Sequence, residues 1–263
     1  ELAQITSLSG LVSPSVIVSF TLLGVVPLVA KVLIGVIQRR KRLAAFKKPK
    51  RFDANVVVVG GGSAGLVTSL IVAGAKAKVV LVEKHRMGGD CLYTGCVPSK
   101  SIIRSGRIMS YIRRAADYGI VDAAGKVDFA AVMQRVQGVI ETIEPHDSPE
   151  RFTSLGVTCV SGSARLISPY EVEVDGKIIT TESIVIASGA RPFVPHVPGL
   201  ADIDYLTSDN VWSLTELPPR LLVVGGGPIG CELAQAFSHL GSKVTQVDMA
   251  ARIMPRAAED VSA

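Results

Sequence analysis

The sequence predicts an α/β chain that opens one β-α-β module twice, behind an apolar segment long enough to cross a membrane. Three observations carry this reading. A β-branched run, a glycine cluster, an apolar helical stretch and a second β-branched run ending on an acid occupy residues 55–83, and the same series returns at 221–248. Gly60 precedes Glu83 by 23 positions, and Gly225 precedes Asp248 by 23. From Leu2 to Gln38 the only charged side chain is Lys31.

At 263 residues the chain has room for one to two domains with a sizeable core. Its charge is divided unevenly. Residues 1–52 hold nine basic side chains against one acid, Glu1, a net +8 within a chain total of +5, so residues 53–263 are left with −3. The basic pI belongs to the leader. A nucleic-acid binder needs a basic face on its folded domain, and the body offers no such stripe, so no nucleic-acid partner is expected.

The leader comes first in order. The chain opens on Glu1 rather than Met, so a start upstream is expected. Ser15–Ile37 spans 23 residues, about 35 Å as a helix, enough for a bilayer. Pro27 would kink it, and Lys31 would snorkel toward the boundary. The RRKR cluster at 39–42 follows at once, then KKPKR at 47–51, and this positive flank places the body in the cytoplasm. A signal peptide carries its charge before the apolar run, the reverse of this order. A buried core helix rarely runs so long without charge. The expected organisation is a transmembrane region over 1–38, a basic juxtamembrane linker over 39–52, and two body domains, 53–195 and 196–263.

In the body, Asn55–Val59 (NVVVV) is the continuous β-branched run of a strand buried on both faces of a parallel sheet. GGGSAG (60–65) and an apolar helix, Leu66–Ala75, follow, then a second strand, Lys78–Val82, ending at Glu83. Residues 101–152 show mixed helical periodicity. Residues 157–187 are expected to form short antiparallel strands around a DG turn at 175–176. Prolines at 192, 195, 198, 218 and 219 mark a boundary. Leu221–Val224 then leads into GGGPIG (225–230), an apolar helix Cys231–Leu240, and a strand Lys243–Val247 ending at Asp248.

Each G-x-G-x-x-G follows a buried strand and precedes a helix, which is where dinucleotide binding needs it. Gly60 and Gly225 allow a tight turn, Gly62 and Gly227 admit a pyrophosphate to the backbone, and Gly65 and Gly230 let the helix pack close to its strand. Glu83 and Asp248 are placed to accept ribose hydroxyls. A lone glycine fingerprint is weak evidence; the whole series in register twice is strong. The modules are therefore expected to be Rossmann-like. A carboxylate at Asp248 suits a free 2′-hydroxyl, and Met249 adds no cation, which favours NAD; Arg252 keeps NADP open.

Between the modules lies GGDCLYTGCVPSK, residues 88–100. Four cysteines in the body are too few for a disulfide scaffold, and a close pair there points to redox or metal chemistry. In an ideal helix Cys91 and Cys96 would sit with Cα atoms about 8.6 Å apart, beyond the usual disulfide limit of about 6.8 Å. A bond between them requires an irregular turn, which Gly95 can supply. As metal ligands the pair gives only two donors, with no nearby His or Cys pair to complete a site. Cys159 and Cys231 are expected to be buried small side chains.

With both fingerprints around it, GGDCLYTGCVPSK resembles the class I pyridine nucleotide–disulfide oxidoreductases, which include dihydrolipoamide dehydrogenase, glutathione reductase and mercuric reductase. PHDSPERF (145–152) and IVIASGARP (184–192) are similar too, with Ser188 where the family usually has threonine. The lipoamide-dehydrogenase-like and mercuric-reductase-like branch looks closest, and the leader is similar to the last helix of a DedA-type membrane domain. The resemblance implies an FAD domain over 53–195, with Gly60, Gly62, Ser63, Ala64, Gly65, Glu83, Lys84, Gly89, Asp90, Ser188 and Gly189 against the flavin nucleotide. It implies an NAD(P) domain from 196, with Gly225, Gly227, Ile229, Gly230 and Asp248 against the second nucleotide.

The resemblance also implies roles. Cys91–Cys96 is the redox-active disulfide, Cys96 the charge-transfer thiolate beside FAD, and Cys91 the thiol that attacks substrate. Lys100 stands near flavin N5 and pairs with Glu232, where exposed, unpaired side chains are the plainer reading. The substrate is a small-molecule or protein disulfide, or a metal ion in the mercuric branch; a flavin redox sensor without turnover is the non-enzymatic alternative. The intact protein is expected to be a homodimer whose partner supplies a His–Glu acid–base pair from a C-terminal domain. His85, His146, His196 and His239 do not match that histidine, so residues 1–263 alone are not expected to turn over.

Overall fold

The computed structural model describes residues 14–255 and 257. Helix α1 (Pro14–Leu43) contains the expected Ser15–Ile37 segment and continues through the basic cluster, with Arg40, Lys41 and Arg42 in its last turn. Cations there face the negative end of the helix dipole, so the cluster extends the helix rather than ending it. Ile17–Leu43 is long and apolar enough to cross a membrane, and none of its most apolar stretch is buried. The chain then reaches the body at Asp53, whose carboxylate accepts from the Thr180 amide at 2.8 Å and its hydroxyl at 2.7 Å.

Strand β1 (Ala54–Val59) sits at the centre of a six-stranded sheet ordered β3-β2-β1-β6-β5-β4. The members are β2 (Val79–Glu83), β3 (Val157–Ser161), β4 (Ala164–Ser168), β5 (Glu171–Val174) and β6 (Lys177–Ile186). Val57 and Val58 of β1 are wholly buried because the sheet is covered on both faces. On one face Val58, Leu81 and Val157 pack with Leu66 of α2 (Ser63–Gly74) and Phe152 of α6 (Pro149–Ser154).

The expectation of antiparallel strands throughout 157–187 is corrected here. Strand β3 runs parallel to β2, and residues 181–186 of β6 run parallel to β1. Only β4, β5 and the first residues of β6 form antiparallel pairs, joined at Asp175 and Gly176, both at positive φ. The physical reason is connection length. Tight turns allow antiparallel neighbours only within 164–180, whereas β3 is reached from β2 through a long helical crossover, which imposes parallel pairing. β6 changes partner at Thr181, a fully buried residue whose hydroxyl donates to the Ser183 carbonyl at 2.9 Å.

Helices α3 (Gly89–Tyr93), α4 (Cys96–Arg113) and α5 (Phe129–Ile143) fill the crossover. After the connector 187–219, β7 (Arg220–Val224), α7 (Pro228–Leu240) and β8 (Lys243–Val247) form a second β-α-β unit with parallel strands. The two units share one apolar core. Leu92, Tyr93, Ile102, Phe129 and Val136 from the first pack with Val211 and Trp212 of the connector and Phe237 and Leu240 of α7. α4 crosses α7 at Gly106, where a Cβ would come within 3.1 Å of the Ala236 carbonyl oxygen.

Candidate active site

The two glycine clusters repeat each other in structure as well as in spacing. β1 turns into α2 through Gly60 at φ +108°, and β7 turns into α7 through Gly225 at φ +118°, backbone conformations that L side chains rarely take. One turn on, a Cβ at Gly65 would lie 1.8 Å from the Gly60 carbonyl oxygen, and one at Gly230 would lie 2.2 Å from that of Gly225. Both helices begin at a glycine, Gly62 or Gly227, that provides no side-chain cap. The first amides of α2, and those that follow Pro228 in α7, are thus left for an anion.

The acids repeat too. Glu83 accepts from the Gly61 amide at 2.6 Å and the His85 amide at 2.8 Å. Asp248 accepts from the Gly226 amide at 2.5 Å and the Ala250 amide at 2.6 Å. The Ala250 and then the Gly226 amide hold the Asp248 carboxyl below the usual carboxylate range. Each carboxylate is thereby fixed over its own glycine turn with lone pairs still to offer.

A cleft of about 910 Å³ opens at the C-terminal ends of β1, β2 and β6. Gly60, Gly62, Ser63, Ala64, Glu83, Lys84, Gly89, Asp90, Cys91, Ser188 and Gly189 all line it, eleven of the expected site residues brought together. Gly65 stands behind the turn, where it sets helix packing. The cleft also takes in residues that the sequence reading missed, among them His85, Arg86, Tyr93, Arg191 and the Gly162–Ala164 turn. The last of these was within reach of sequence, because ligands of open α/β sheets bind beyond the carboxyl ends of parallel strands.

Cys91 lies in α3 and Cys96 opens α4, with Thr94 and Gly95 breaking the helix between them. Both are free thiols, and Cys91 lies close enough to Cys96 to perturb it. The neighbouring Cys91 thiol, followed by burial, raises the Cys96 pKa above the ordinary thiol value, while Lys100 acts in the opposite direction. Lys100 and Glu232 are both exposed. The expected pairing of the two is not made: among the described residues the ion pairs are Arg165–Glu173 and Arg191–Asp209. One residue sits at the start of α4 and the other at the start of α7, and the helices make close contact farther along, at Gly106.

Cys159 is half-buried, and burial raises its pKa. Cys231 is half-buried against the Gly226 carbonyl. Among the described residues no trio of His, Cys, Asp or Glu is placed to hold a metal.

Beside the cleft, a second cavity of about 680 Å³ shares Glu83, His85, Arg86 and Tyr93 with it. The Tyr93 hydroxyl donates to Glu144 at 2.7 Å, and the Arg86 guanidinium stacks 3.4 Å from the ring centroid. Burial first, then the bond to Glu144, pushes the phenol up to about 12.

The uncapped glycine turns, fixed acids and open cleft fit a dinucleotide, and comparisons with known proteins agree. The mercuric reductase of Bacillus cereus is 31% identical over 211 residues, covering 80% of this chain and 33% of that protein. The dihydrolipoyl dehydrogenase of Acholeplasma laidlawii is 32% identical over 215 residues, covering 80% of this chain and 63% of that one. Among solved structures, the Cu(II) complex of the HOCl-induced flavoprotein disulfide reductase RclA from Escherichia coli superposes with a TM-score of 0.65 at 28% identity, over 78% of this chain and 44% of that one. The chain thus spans between a third and two thirds of the relatives named. The family model for pyridine nucleotide-disulphide oxidoreductases covers residues 54–263, from the first residue of β1 through both glycine turns. With the thiol pair between those turns, the chain belongs to the pyridine nucleotide–disulphide oxidoreductase family.

Proposed function

We propose that this chain is the nucleotide-binding part of a membrane-tethered, FAD-dependent oxidoreductase that passes electrons from NAD(P)H to a Cys91–Cys96 disulfide and on to a substrate. The observation that carries the reading is the helix break that joins Cys91, in the lining of the cleft that gathers the first fingerprint, to Cys96 at the start of the next helix. Residues 53–195 form the FAD domain, and residues from 196 belong to the NAD(P) domain.

The amides of Ser63 and Ala64 at the start of α2 hold the FAD pyrophosphate, and Glu83 takes ribose hydroxyls with the lone pairs its backbone donors leave free. At the second turn Gly227 and Ile229 approach the pyridine nucleotide, and Asp248 selects for a free 2′-hydroxyl. FAD, when bound, accepts a hydride and hands two electrons onward. Cys96 stands on the flavin side, where Lys100 favours its thiolate, and Cys91 attacks the substrate disulfide, since exchange requires a thiolate nucleophile. Acid–base help comes from a partner subunit in the homodimer.

Helix α1 anchors this assembly, and its basic C-terminal flank keeps the redox body cytoplasmic. The family model covers residues 54–263 and does not reach α1, so a DedA-type domain around α1 rests on the leader's own sequence.

The test uses the full-length protein. It should purify with flavin and, on reduction by NADH, gain long-wavelength absorbance that Cys96→Ser abolishes. Material without flavin, or a band that survives Cys96→Ser, overturns the mechanism. A second reading, metal-ion reduction by the same thiols, is favoured by the similarity to mercuric reductases. It predicts NAD(P)H oxidation driven by Hg(II) and lost in Cys91→Ser. A flavin-bound dimer with no turnover at all is the outcome expected of a redox sensor.

A further inference from the structure

We propose that Trp212 is a positioning residue for the thiol pair, its indole N–H holding the helix break between Cys91 and Cys96 in the shape that a disulfide needs. The inference rests on the dithiol–disulfide reading above. Five positions of unbroken helix would separate the two Cα atoms by about 8.6 Å, too far for a disulfide. The break at Thr94 and Gly95 is therefore the feature that makes the pair usable, and something has to hold it.

The backbone does only part of this. The Thr94 amide donates to the Asp90 carbonyl at 2.9 Å and closes α3. Gly95 turns so tightly that a Cβ would lie 2.8 Å from that same carbonyl oxygen. The Thr94 carbonyl is then left over. In a continuing helix it would accept from the amide four residues on, but that residue is Pro98, which has none. The indole N–H of Trp212 fills the gap at 2.9 Å, from 118 positions away.

Trp212 is itself held firmly. It is 7% exposed, its N–H is shared with the Ser208 carbonyl at 2.8 Å, and its own carbonyl accepts from the Gln137 side chain at 3.4 Å. It sits in the core shared with Phe237 of α7. The connector between the two modules thus sets the spacing of the thiols, with Tyr93 clamped to Glu144 on the neighbouring side. A tryptophan that merely filled space would give the core the same volume and leave the thiol equilibrium alone, and that difference can be measured.

The experiment equilibrates full-length holoprotein with glutathione buffers and counts alkylated thiols. In this exchange the glutathione disulfide bond breaks and the Cys91–Cys96 bond forms, and both protein thiol protons end on two reduced glutathiones. Trp212→Phe removes the donor and lets the turn relax in the dithiol form, so that closing the disulfide must restore its shape; with the worth of one hydrogen bond as the ceiling, the disulfide-forming equilibrium constant should fall by up to about tenfold. The midpoint then moves by up to about 30 mV toward easier reduction. Replacing Trp212 with benzothienylalanine, which keeps the shape and lacks the N–H, should give the same shift and decides the matter if Trp212→Phe does not fold. Phe237→Leu in the same core should lower the melting temperature and leave the midpoint in place. A wild type that titrates, with both Trp212 replacements superimposed on it, overturns this inference alone. A wild type that forms no disulfide overturns the redox reading and this inference together.

Discussion

The tightest contact in the first glycine turn allows a direct test of why its third glycine is there. In Gly65→Ala the new methyl would start 1.8 Å from the Gly60 carbonyl oxygen, 2.9 Å from its carbon and 3.4 Å from a methyl of Val58. Side-chain carbons essentially never come closer than 3.0 Å to another atom, so α2 must retreat from β1 by more than 1 Å. The obstacle is backbone in a turn fixed by Gly60 at positive φ, so no rotamer can relieve it. Overpacking of this kind costs about 1–3 kcal/mol, which for a body of this size lowers the melting temperature by roughly 3–10 °C. Gly74 ends the same helix with nothing within 4 Å of its Cβ position. There alanine should stabilise by about 0.5–1 kcal/mol through backbone entropy. Circular-dichroism melts of full-length wild type, Gly65→Ala and Gly74→Ala distinguish the two effects. If Gly65→Ala melts with or above Gly74→Ala, close packing is not what that glycine serves.

Three other outcomes are expected. Because the folded Tyr93 pKa is raised to about 12 from 10.0, its stabilisation is complete below pH 10 and is lost as pH rises toward 12; Tyr93→Phe should flatten that alkaline limb in urea titrations. Asp248→Ser should raise the kcat/KM ratio of NADPH over NADH about tenfold by removing a like charge from the 2′-phosphate, and an unchanged ratio would mean that Asp248 does not face the ribose. Full-length protein should need detergent to leave the membrane fraction, while a chain starting at Asp53 should be soluble; equal partition of the two would remove α1 as the anchor.

The parts of the fold that sequence revealed are those set by local chemistry. β1 is readable because a strand buried on both faces has to be a β-branched run, and the glycine turn because nothing else takes its φ. Strand direction is another matter. β3 and the second half of β6 have the same composition as the antiparallel hairpins beside them, and only the partner across the ladder decides parallel or antiparallel. β6 pairs both ways, changing at Thr181, and no periodicity marks such a switch. The close crossing of α4 and α7 was hidden for a similar reason. Gly106 in a helix reads as a weak point until the backbone of another helix is found lying against it.

The site divides along the same line. Glycines, acids and thiols announce themselves because each performs a function that few residue types can. The side chains that arrange them do not, because their partners are remote and almost any donor would serve. Tyr93 reaches Glu144 across 51 positions, and Trp212 reaches Thr94 across 118. Gly95 and Pro98 say that the helix must break between the cysteines, and Pro98 even says which carbonyl goes unpaired. They do not say what will pair with it. That answer lies in the connector, where a proline-rich stretch reads as a boundary between two modules. In the structure most of it stays exposed, but Val211 and Trp212 are buried between the modules, and through them the segment that divides the chain in sequence ties the thiol turn to the second module.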